Sequence, residues 1–476
     1  MTETPTKPGS GRPPAAISDF GIDTTSRSTR EAIGDYFGRL RGGELGALPA
    51  LLGLLVLVLV FTGLSDTFLS LNNIANLFAQ GAGQTIIAMG IVPVLLLGEI
   101  DLSAGTASGL AASVMALHFT QNGNLLGNFG STVFYGFIAG SIVAAALCVW
   151  MRVWIGAALS LVVPVVMLAG FAANPWIEIV LAICVGVVIG ALTGTIVAKI
   201  GIPSFVVTLA LFIGWYGLLL QLVGEGGTIS IRQSDVLYQV ANGNLSILGG
   251  WIMFAVAAGG YAAVVLTRHF GRLRRGLVAQ PTTIVLVKAA AVLVIGAVAT
   301  YLLNTNRSPN PDLTTIAGVP YVVPIVLVLL VAGTFVLDRT RYGRHIYAVG
   351  GNKEAARRAG IKVDKIRMSV FLICSAVAAI GGIVYSSKVG AVDGNSGGGN
   401  TLLFAVGAAV IGGTSLFGGR GLLRDAVIGG LVLATVQNGL GLLGFQAATV
   451  NIITCLVLLV AAAVDALSRK RAAVAR

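Results

Sequence analysis

Two carboxylates and a hydroxyl lie close together between Gly98 and Gly105, in a segment that separates two apolar runs. Glu99 and Asp101 are two residues apart, so they would not share a helix face and are not a matched acid–base pair. The glycines and Ser103 predict a helix break, with Ser103 capping the helix that follows. Ionisable groups in such apolar surroundings indicate a functional site. The alternative is a structural break in which the carboxylates bind free backbone N–H groups. We call residues 98–105 the break segment.

The longest basic loop, residues 340–367, contains a second candidate element. Its residues 352–359 predict a short helix. Asn352 is a suitable N-cap, Glu354 favours the positive N-terminal end, and Gly360 suits the position that follows the last turn. A short helix with so many polar side chains has no core to join. We therefore expect it to contact either lipid headgroups or a protein partner.

Uncharged polar residues interrupt several apolar runs, namely Gln84, Thr208, Gln437 and Asn438. Amide and hydroxyl groups in hydrocarbon must be paired, either by neighbouring helices or by a ligand that presents hydroxyl groups. Pairing between helices is the commoner case. Such groups along a pathway would nonetheless suit a neutral polyol better than an ion.

The chain lacks the motifs of most catalytic sites. No Gly is followed by Lys, which excludes a phosphate-binding P-loop, and no HExxH or CxxC motif is present. The four cysteines lie within apolar runs and are too far apart for metal-ligand spacing. We predict no enzyme activity and no metal or cofactor bound by this chain. If ATP drives the protein, another chain hydrolyses it.

The composition predicts the class of protein that positions these residues. Of 476 residues, 56% are hydrophobic and 11% are charged, whereas soluble domains carry about 25% charged residues. A soluble enzyme and a single-span receptor are both excluded. The sequence predicts an all-α polytopic transmembrane protein with about 12–14 segments, some of them re-entrant or broken. The apolar runs fall at about 47–64, 81–97, 104–119, 133–151, 154–173, 177–198, 204–223, 247–267, 284–303, 320–337, 366–387, 402–418, 425–443 and 448–466.

The positions of the basic residues predict the orientation. If the N-terminus is inside and every run spans, 27 of the 31 Lys and Arg residues fall in inside segments. Cytoplasmic loops collect such residues, so both termini are expected in the cytoplasm. Residues 1–46 form a polar extension that is partly disordered, with an amphipathic pattern over 28–40. The transmembrane domain covers 47–466, and residues 467–476 form a basic tail.

Several distinctive motifs follow one another along the chain. They are the run FLSLNNIANL at 68–77, GEIDLSAG at 98–105, IPSFVVTL at 202–209, residues 340–361 and IGGTSLFGG at 411–419. In this order they resemble the permease subunits of monosaccharide ABC importers, the ribose, xylose and galactose group, and their distant branched-chain amino-acid relatives. That family commonly has a second glycine where this chain has Glu99. Extra apolar runs near 154–173 and 284–303 make the chain more similar to the xylose type.

The resemblance implies a membrane-spanning subunit of an ATP-driven sugar importer in a bacterial inner or plasma membrane. It implies a second copy of the chain, a cytoplasmic ATPase that holds ATP and Mg, and an extracytoplasmic sugar-binding protein. The binding protein would deliver a monosaccharide, such as the pentose xylose, near loops 224–246 and 388–401. The ATPase would dock on the coupling loop 338–365, at Asn352, Glu354, Ala355, Ala356 and Gly360.

Two other functions remain open at this point. One is a secondary transporter in which Glu99 and Asp101 carry protons; the loop around Glu354 is the feature that argues against it. The other is an amino-acid importer of the same superfamily. Spans with so few charges make a zwitterionic substrate less suitable. The break segment and Gln84, Thr208, Gln437 and Asn438 are the predicted pathway or helix-break residues under each reading.

Overall fold

The computed structural model describes residues 46–277, 279–308, 310 and 312–474, together with Gly34 and Gly38. Apart from Gly34, Gly38 and Gly46, the extension 1–46 with its amphipathic pattern over 28–40 lies outside these residues.

The described part of the chain is mostly helical. The first nine helices are α1 (Leu48–Leu64), α2 (Leu71–Leu96), α3 (Ala104–Thr120), α4 (Leu125–Trp150), α5 (Trp154–Ala169), α6 (Pro175–Thr195), α7 (Ser204–Val223), α8 (Asp235–Asn242) and α9 (Ile247–Phe254). The others are α10 (Gly260–Arg274), α11 (Thr282–Asn304), α12 (Val322–Arg339), α13 (Arg341–Gly351), α14 (Lys353–Arg358), α15 (Val363–Val389), α16 (Gly399–Gly412), α17 (Leu423–Leu442) and α18 (Ala447–Val474). Single π-helical turns follow α6 and α9, at Ile196–Ile200 and Ala255–Gly259.

The prediction of an all-α polytopic membrane protein is confirmed. Each of the fourteen apolar runs overlaps a helix. Within the described residues, nine helices are long and apolar enough to cross a membrane, and four further apolar helices have 10–17 residues. The shorter helices are typical of broken or re-entrant segments, which are tolerated at membrane depth where protein covers their backbone.

Side-chain caps explain where several helices begin. The first N–H groups of a helix have no partner within it, and a side-chain oxygen just before the helix can accept their hydrogen bonds. Asn174 accepts from Trp176 at the start of α6, at 3.0 Å. Thr340 accepts from Gly343 at the start of α13, at 3.2 Å. These caps place the boundaries where the polar residues interrupt the apolar runs.

The chain divides into two compact units. The small unit holds the described residues of Met1–Gly38 and Ala255–Gly296. Within it, His269 of α10 lies 3.0 Å from the hydroxyl of Thr282 in α11. The large unit holds the described residues of Arg39–Phe254 and Ala297–Arg476. All the candidate residues named above belong to the large unit.

Helix α15 is at the centre of the large unit, packed against α6 and α2. Three glycines four residues apart, Gly186, Gly190 and Gly194, form the face of α6 that meets α15. A Cβ atom at any of them would lie 2.5–2.8 Å from an α15 backbone atom. Small residues let membrane helices approach this closely.

The break segment meets a second non-helical stretch inside the large unit. A Cβ atom at Gly105 would lie 2.7 Å from the carbonyl oxygen of Gly397, and Gly109 contacts the Ser396 carbonyl still more closely. Ser396 and Gly397 lie between strand β2 (Ala391–Asp393) and α16. Strand β2 pairs antiparallel with β1 (Thr228–Ser230), so loops 224–246 and 388–401 lie side by side.

Contacts between the helix connections divide them into two faces of the large unit. Lys199 pairs with Asp364 at 3.0 Å, and Lys365 donates to the Arg152 carbonyl at 2.7 Å. The Gly419 amide donates to the Leu96 carbonyl at 2.9 Å. Loop 340–367 therefore shares one face, which we call the basic face, with the connections near 97–103, 151–153, 199–203 and 413–421. The β1–β2 pair lies at the opposite end of α15.

Candidate functional site

The short helix predicted in the basic loop is confirmed as α14. The side chain of Asn352 accepts a hydrogen bond from the Ala355 amide at 2.9 Å, as a cap should. Gly360 follows with a φ of +83°, a left-handed conformation that glycine adopts without strain. Glu354 and Arg357 are exposed and paired with each other at 2.8 Å. Helix α14 thus presents a polar surface on the basic face.

The expectation that Ala356 lies on this surface is wrong. Its side chain is only 4% exposed and packs in the core of the large unit. Ala355, by contrast, is exposed. Even a six-residue polar helix has one face turned to its own chain, and Ala356 occupies that face.

Glu99 of the break segment lies directly beneath α14. One carboxylate oxygen, Oε1, accepts hydrogen bonds from Lys353 Nζ at 2.7 Å and from Arg367 Nε at 2.9 Å. The Glu99 side chain is 5% exposed, compared with 43% for Lys353 and 15% for Arg367. A buried carboxylate of this kind requires paired cations to offset its desolvation. The three residues form one cluster, which we call the Glu99 cluster.

The surroundings keep Glu99 ionised. Burial acts to raise the pKa of the carboxyl, but hydrogen bonds from Lys353 and Ser204 and the charge of Arg367 outweigh burial and hold the pKa below its ordinary value. A group with a lowered pKa stabilises the fold above its unfolded pKa and loses that contribution as the pH falls through the folded value. Glu99 is therefore poorly suited to carry protons near neutral pH.

Asp101 is fully buried and performs the role expected of Ser103. Its Oδ1 accepts hydrogen bonds from the Ser103 amide at 2.9 Å and from the Ser103 hydroxyl at 2.7 Å. The prediction that the Ser103 side chain caps α3 is wrong, because its hydroxyl donates to Asp101 and caps no helix amide. The aspartate acts as the acceptor that the break requires.

Thr208 and Ser204 of α7 bind the middle of the break segment. The Thr208 hydroxyl donates to the Ile100 carbonyl at 3.1 Å, and the Ser204 hydroxyl accepts from the Ile100 amide at 3.2 Å. Both backbone groups of Ile100 are thus satisfied by side chains of another helix. Thr208 is placed at the helix break.

At Gly98 the end of the break segment packs closely against other parts of the chain. It has a φ of +70°, and a Cβ atom there would lie 3.2 Å from the Phe417 carbonyl oxygen. Gly350 of α13 contacts the Leu96 carbonyl so closely that no side chain would fit. The break segment, α13 and the 413–421 connection therefore meet backbone to backbone.

The amide residues fall into two groups. Asn438 of α17 exchanges two hydrogen bonds with Asn73 of α2, at 2.8 and 2.9 Å, and so joins the two helices. Gln437 has a buried Nε2 atom with no hydrogen-bond partner in the described part of the chain. Gln84 is half-buried, and none of the side-chain hydrogen bonds between described residues involves it. Gln84 and Gln437 retain amide donors for further hydrogen bonds, whereas Asn438 uses its amide N–H donors on Asn73 and Gln80.

Two members of the Glu99 cluster were not predicted as site residues. Lys353 and Arg367 are separated from Glu99 by 254 and 268 residues. One signal was available: a carboxylate between apolar runs needs a cation, and the long basic loop was the richest source of cations. Residue types alone do not distinguish among the eight Lys and Arg residues of loop 340–367.

Comparisons with known proteins find relatives that are similar over most of the chain. Residues 152–462 match the family described as the permease component of the branched-chain amino acid transport system. The chain is 33% identical to the xylose transport system permease protein XylH of Escherichia coli K12, over 91% of this chain and 95% of that protein. It is 31% identical to XylH of Haemophilus influenzae, over 91% and 99% of the two chains. It is 28% identical to the ribose import permease protein RbsC of Escherichia coli K12, over 87% and 92%. No solved structure matches the chain.

Proposed function

Because the chain belongs to the family of ABC-importer permeases that includes the xylose and ribose permeases, we propose that it imports a pentose across the bacterial inner membrane. This family consists of transport subunits and not of enzymes. Xylose is the preferred candidate because the relatives named above with the higher identity are xylose permeases. The proposed permease domain covers residues 47–466, with the coupling loop at 338–365. ATP and Mg would be held by a separate ATPase, and this chain would bind no cofactor.

One observation supports the proposal that ATP drives the import. Helix α14 presents exposed Glu354, Ala355 and Arg357 on the basic face, while its buried residue Ala356 anchors it to the body of the chain. A helix held in this way offers a defined surface to a partner. We propose that a cytoplasmic ATPase docks on Glu354 and Ala355, with Asn352 and Gly360 fixing the ends of α14.

The sugar path is proposed to run past amides that retain free hydrogen-bonding capacity. Gln84 and Gln437 meet this condition, and neither carries a charge. Neutral amides can exchange hydrogen bonds with successive hydroxyl groups of a sugar. A zwitterionic amino acid would present two charges that amides compensate poorly, which favours the sugar over the amino-acid alternative.

The orientation and the remaining partners are part of the proposal. The basic face, which carries loop 340–367, would be cytoplasmic, with both termini on the same side. The opposite face, with the β1–β2 pair, would receive an extracytoplasmic sugar-binding protein. Because the chain is one permease subunit of a larger importer, a second copy of the chain would pair with it to complete the pathway.

Uptake of radiolabelled xylose into proteoliposomes tests the function. With the ATPase and the binding protein present, we expect uptake that requires ATP and persists when a protonophore dissipates the proton gradient. In the same assay, Gln84→Leu should lower uptake by about fivefold at normal protein level, because one hydrogen bond is worth about 1 kcal/mol. Asn438→Leu is the contrasting variant, since it removes the donor to the buried Asn73 Oδ1 and should lower stability. Uptake that proceeds without ATP and stops with the protonophore would establish the proton-coupled alternative.

Thiol labelling tests the orientation. Lys362 and Asn395 are exposed on the basic and opposite faces, and each can be replaced singly by cysteine. Cys148, Cys184 and Cys374 are buried, so only exposed Cys455 needs to be changed to serine. We expect a membrane-impermeant maleimide added to intact cells to label Asn395→Cys and not Lys362→Cys. Labelling of Lys362→Cys alone would reverse the proposed orientation.

A further inference from the structure

We infer that Glu99 is a positioning residue that transmits the movement of α14 to the break segment, an inference that rests on the proposed docking of an ATPase on α14.

The geometry joins three separate elements at one atom. Glu99 Oε1 lies 2.7 Å from Lys353 Nζ at the start of α14 and 2.8 Å from Arg367 Nη2 at the start of α15. Glu354 and Arg357 form the other ion pair of α14, which stays within that helix. Of the ion pairs between described residues, Lys353–Glu99 is therefore the one that leads from α14 into the body of the chain.

The two cations play different parts. Arg367 is 15% exposed, donates a hydrogen bond through Nε and has Nη2 within ion-pair distance of the same oxygen, so it holds the carboxylate against the central helix α15. Lys353 is 43% exposed and reaches the same oxygen from α14 through a flexible stem. Arg367 is thus the fixed side of the cluster and Lys353 the side that moves with α14. Charge-assisted bonds are about twice as strong as neutral ones, and partial burial limits their screening by salt.

Hydrogen bonds hold the break segment at Glu99 and at the next residue, so the segment can absorb little displacement of Glu99. The Glu99 amide donates to the Val94 carbonyl at 3.2 Å, which ties the residue to the end of α2. The next residue, Ile100, is bound through both backbone groups by Ser204 and Thr208. A displacement of the carboxylate is therefore passed to α2 on one side and to α7 on the other.

A purely structural ion pair would behave differently from a transmitting one. Loss of a structural pair lowers the amount of folded protein and leaves the work done per ATP unchanged. Loss of a transmitting pair leaves assembly intact and changes the ratio of sugar transported to ATP hydrolysed. The ratio is thus the measurement that separates the two roles.

The experiment uses the full complex in proteoliposomes, with Glu99→Gln, Lys353→Met and Lys353→Arg. We expect the first two to retain the ATPase and to hydrolyse ATP within about twofold of the unaltered complex, while xylose transported per ATP falls about tenfold, the effect of losing a charge-assisted bond. Lys353→Arg keeps the charge and should keep the ratio. Asp364→Asn is the matched control, because it breaks the Lys199–Asp364 pair on the same face without touching α14.

An unchanged ratio in both Glu99→Gln and Lys353→Met would overturn the inference. So would loss of the ATPase from both complexes, because the cluster would then act in docking. Lys353→Met decides the matter if Glu99→Gln fails to accumulate, since it leaves the Arg367–Glu99 pair in place. Failure of the unaltered complex to transport with ATP would instead refute the proposed function.

Discussion

Ala355→Arg is expected to abolish ATP-driven sugar uptake while leaving the protein in the membrane at its normal level. Ala355 is exposed on α14, so the arginine side chain meets no other part of the chain. It would instead enter the surface on which we propose that the ATPase docks. Overfilling a fitted contact costs about 1–3 kcal/mol, and an added charge increases the cost. Copurification of the ATPase and uptake into proteoliposomes measure the result.

Two neighbouring changes serve as controls for this prediction. Ala355→Ser adds one small atom and should retain both docking and uptake. Ala356→Arg should fail differently, because its side chain is 4% exposed and an arginine would disrupt the core of the large unit. We expect it to lower the amount of folded protein. Normal uptake and normal ATPase yield with Ala355→Arg would remove the main residue-level support for docking on α14.

Asp101→Leu is expected to eliminate most of the folded protein. The change removes the acceptor of two hydrogen bonds from Ser103 in a fully buried position. Each buried donor left unpaired costs about 1–3 kcal/mol, a large part of the stability of a typical domain. Membrane-level quantification and thermal unfolding of the purified chain measure the loss.

Asp101→Asn separates this structural role from proton transfer. Asparagine keeps an acceptor oxygen and removes the charge, so we expect a folded protein that transports at a rate close to the unaltered one. A folded, assembled Asp101→Asn complex without transport would contradict the structural reading. It would favour a carboxyl group that must change its protonation state.

The sequence predicted those parts of the fold that depend on local signals. Apolar runs located every long helix because each span must bury its backbone in its own hydrogen bonds. The capping residue Asn352 and the terminal Gly360 located α14, because both act within a single turn. The presence of a break between Gly98 and Gly105 followed in the same way from residue types.

The pairings across the chain could not be read from residue types alone. Glu99 could have met any of the basic residues of loop 340–367, and only the folded chain selects Lys353 and Arg367. The burial of Ala356 depends equally on which face of α14 meets its own core. Its residue type predicts Ser103 as a cap, but the neighbouring Asp101 carboxylate is the stronger acceptor and binds the Ser103 hydroxyl.

The contact between α6 and α15 has a genetic consequence. At Gly186, Gly190 and Gly194 every missense mutation adds at least one carbon atom, where a backbone atom already lies within 2.8 Å. No substitution is conservative there, so selection for a new sugar specificity or a faster carrier should not recover variants at these codons. Such variants are expected among the amide residues, where a side chain can change size or polarity without separating two helices.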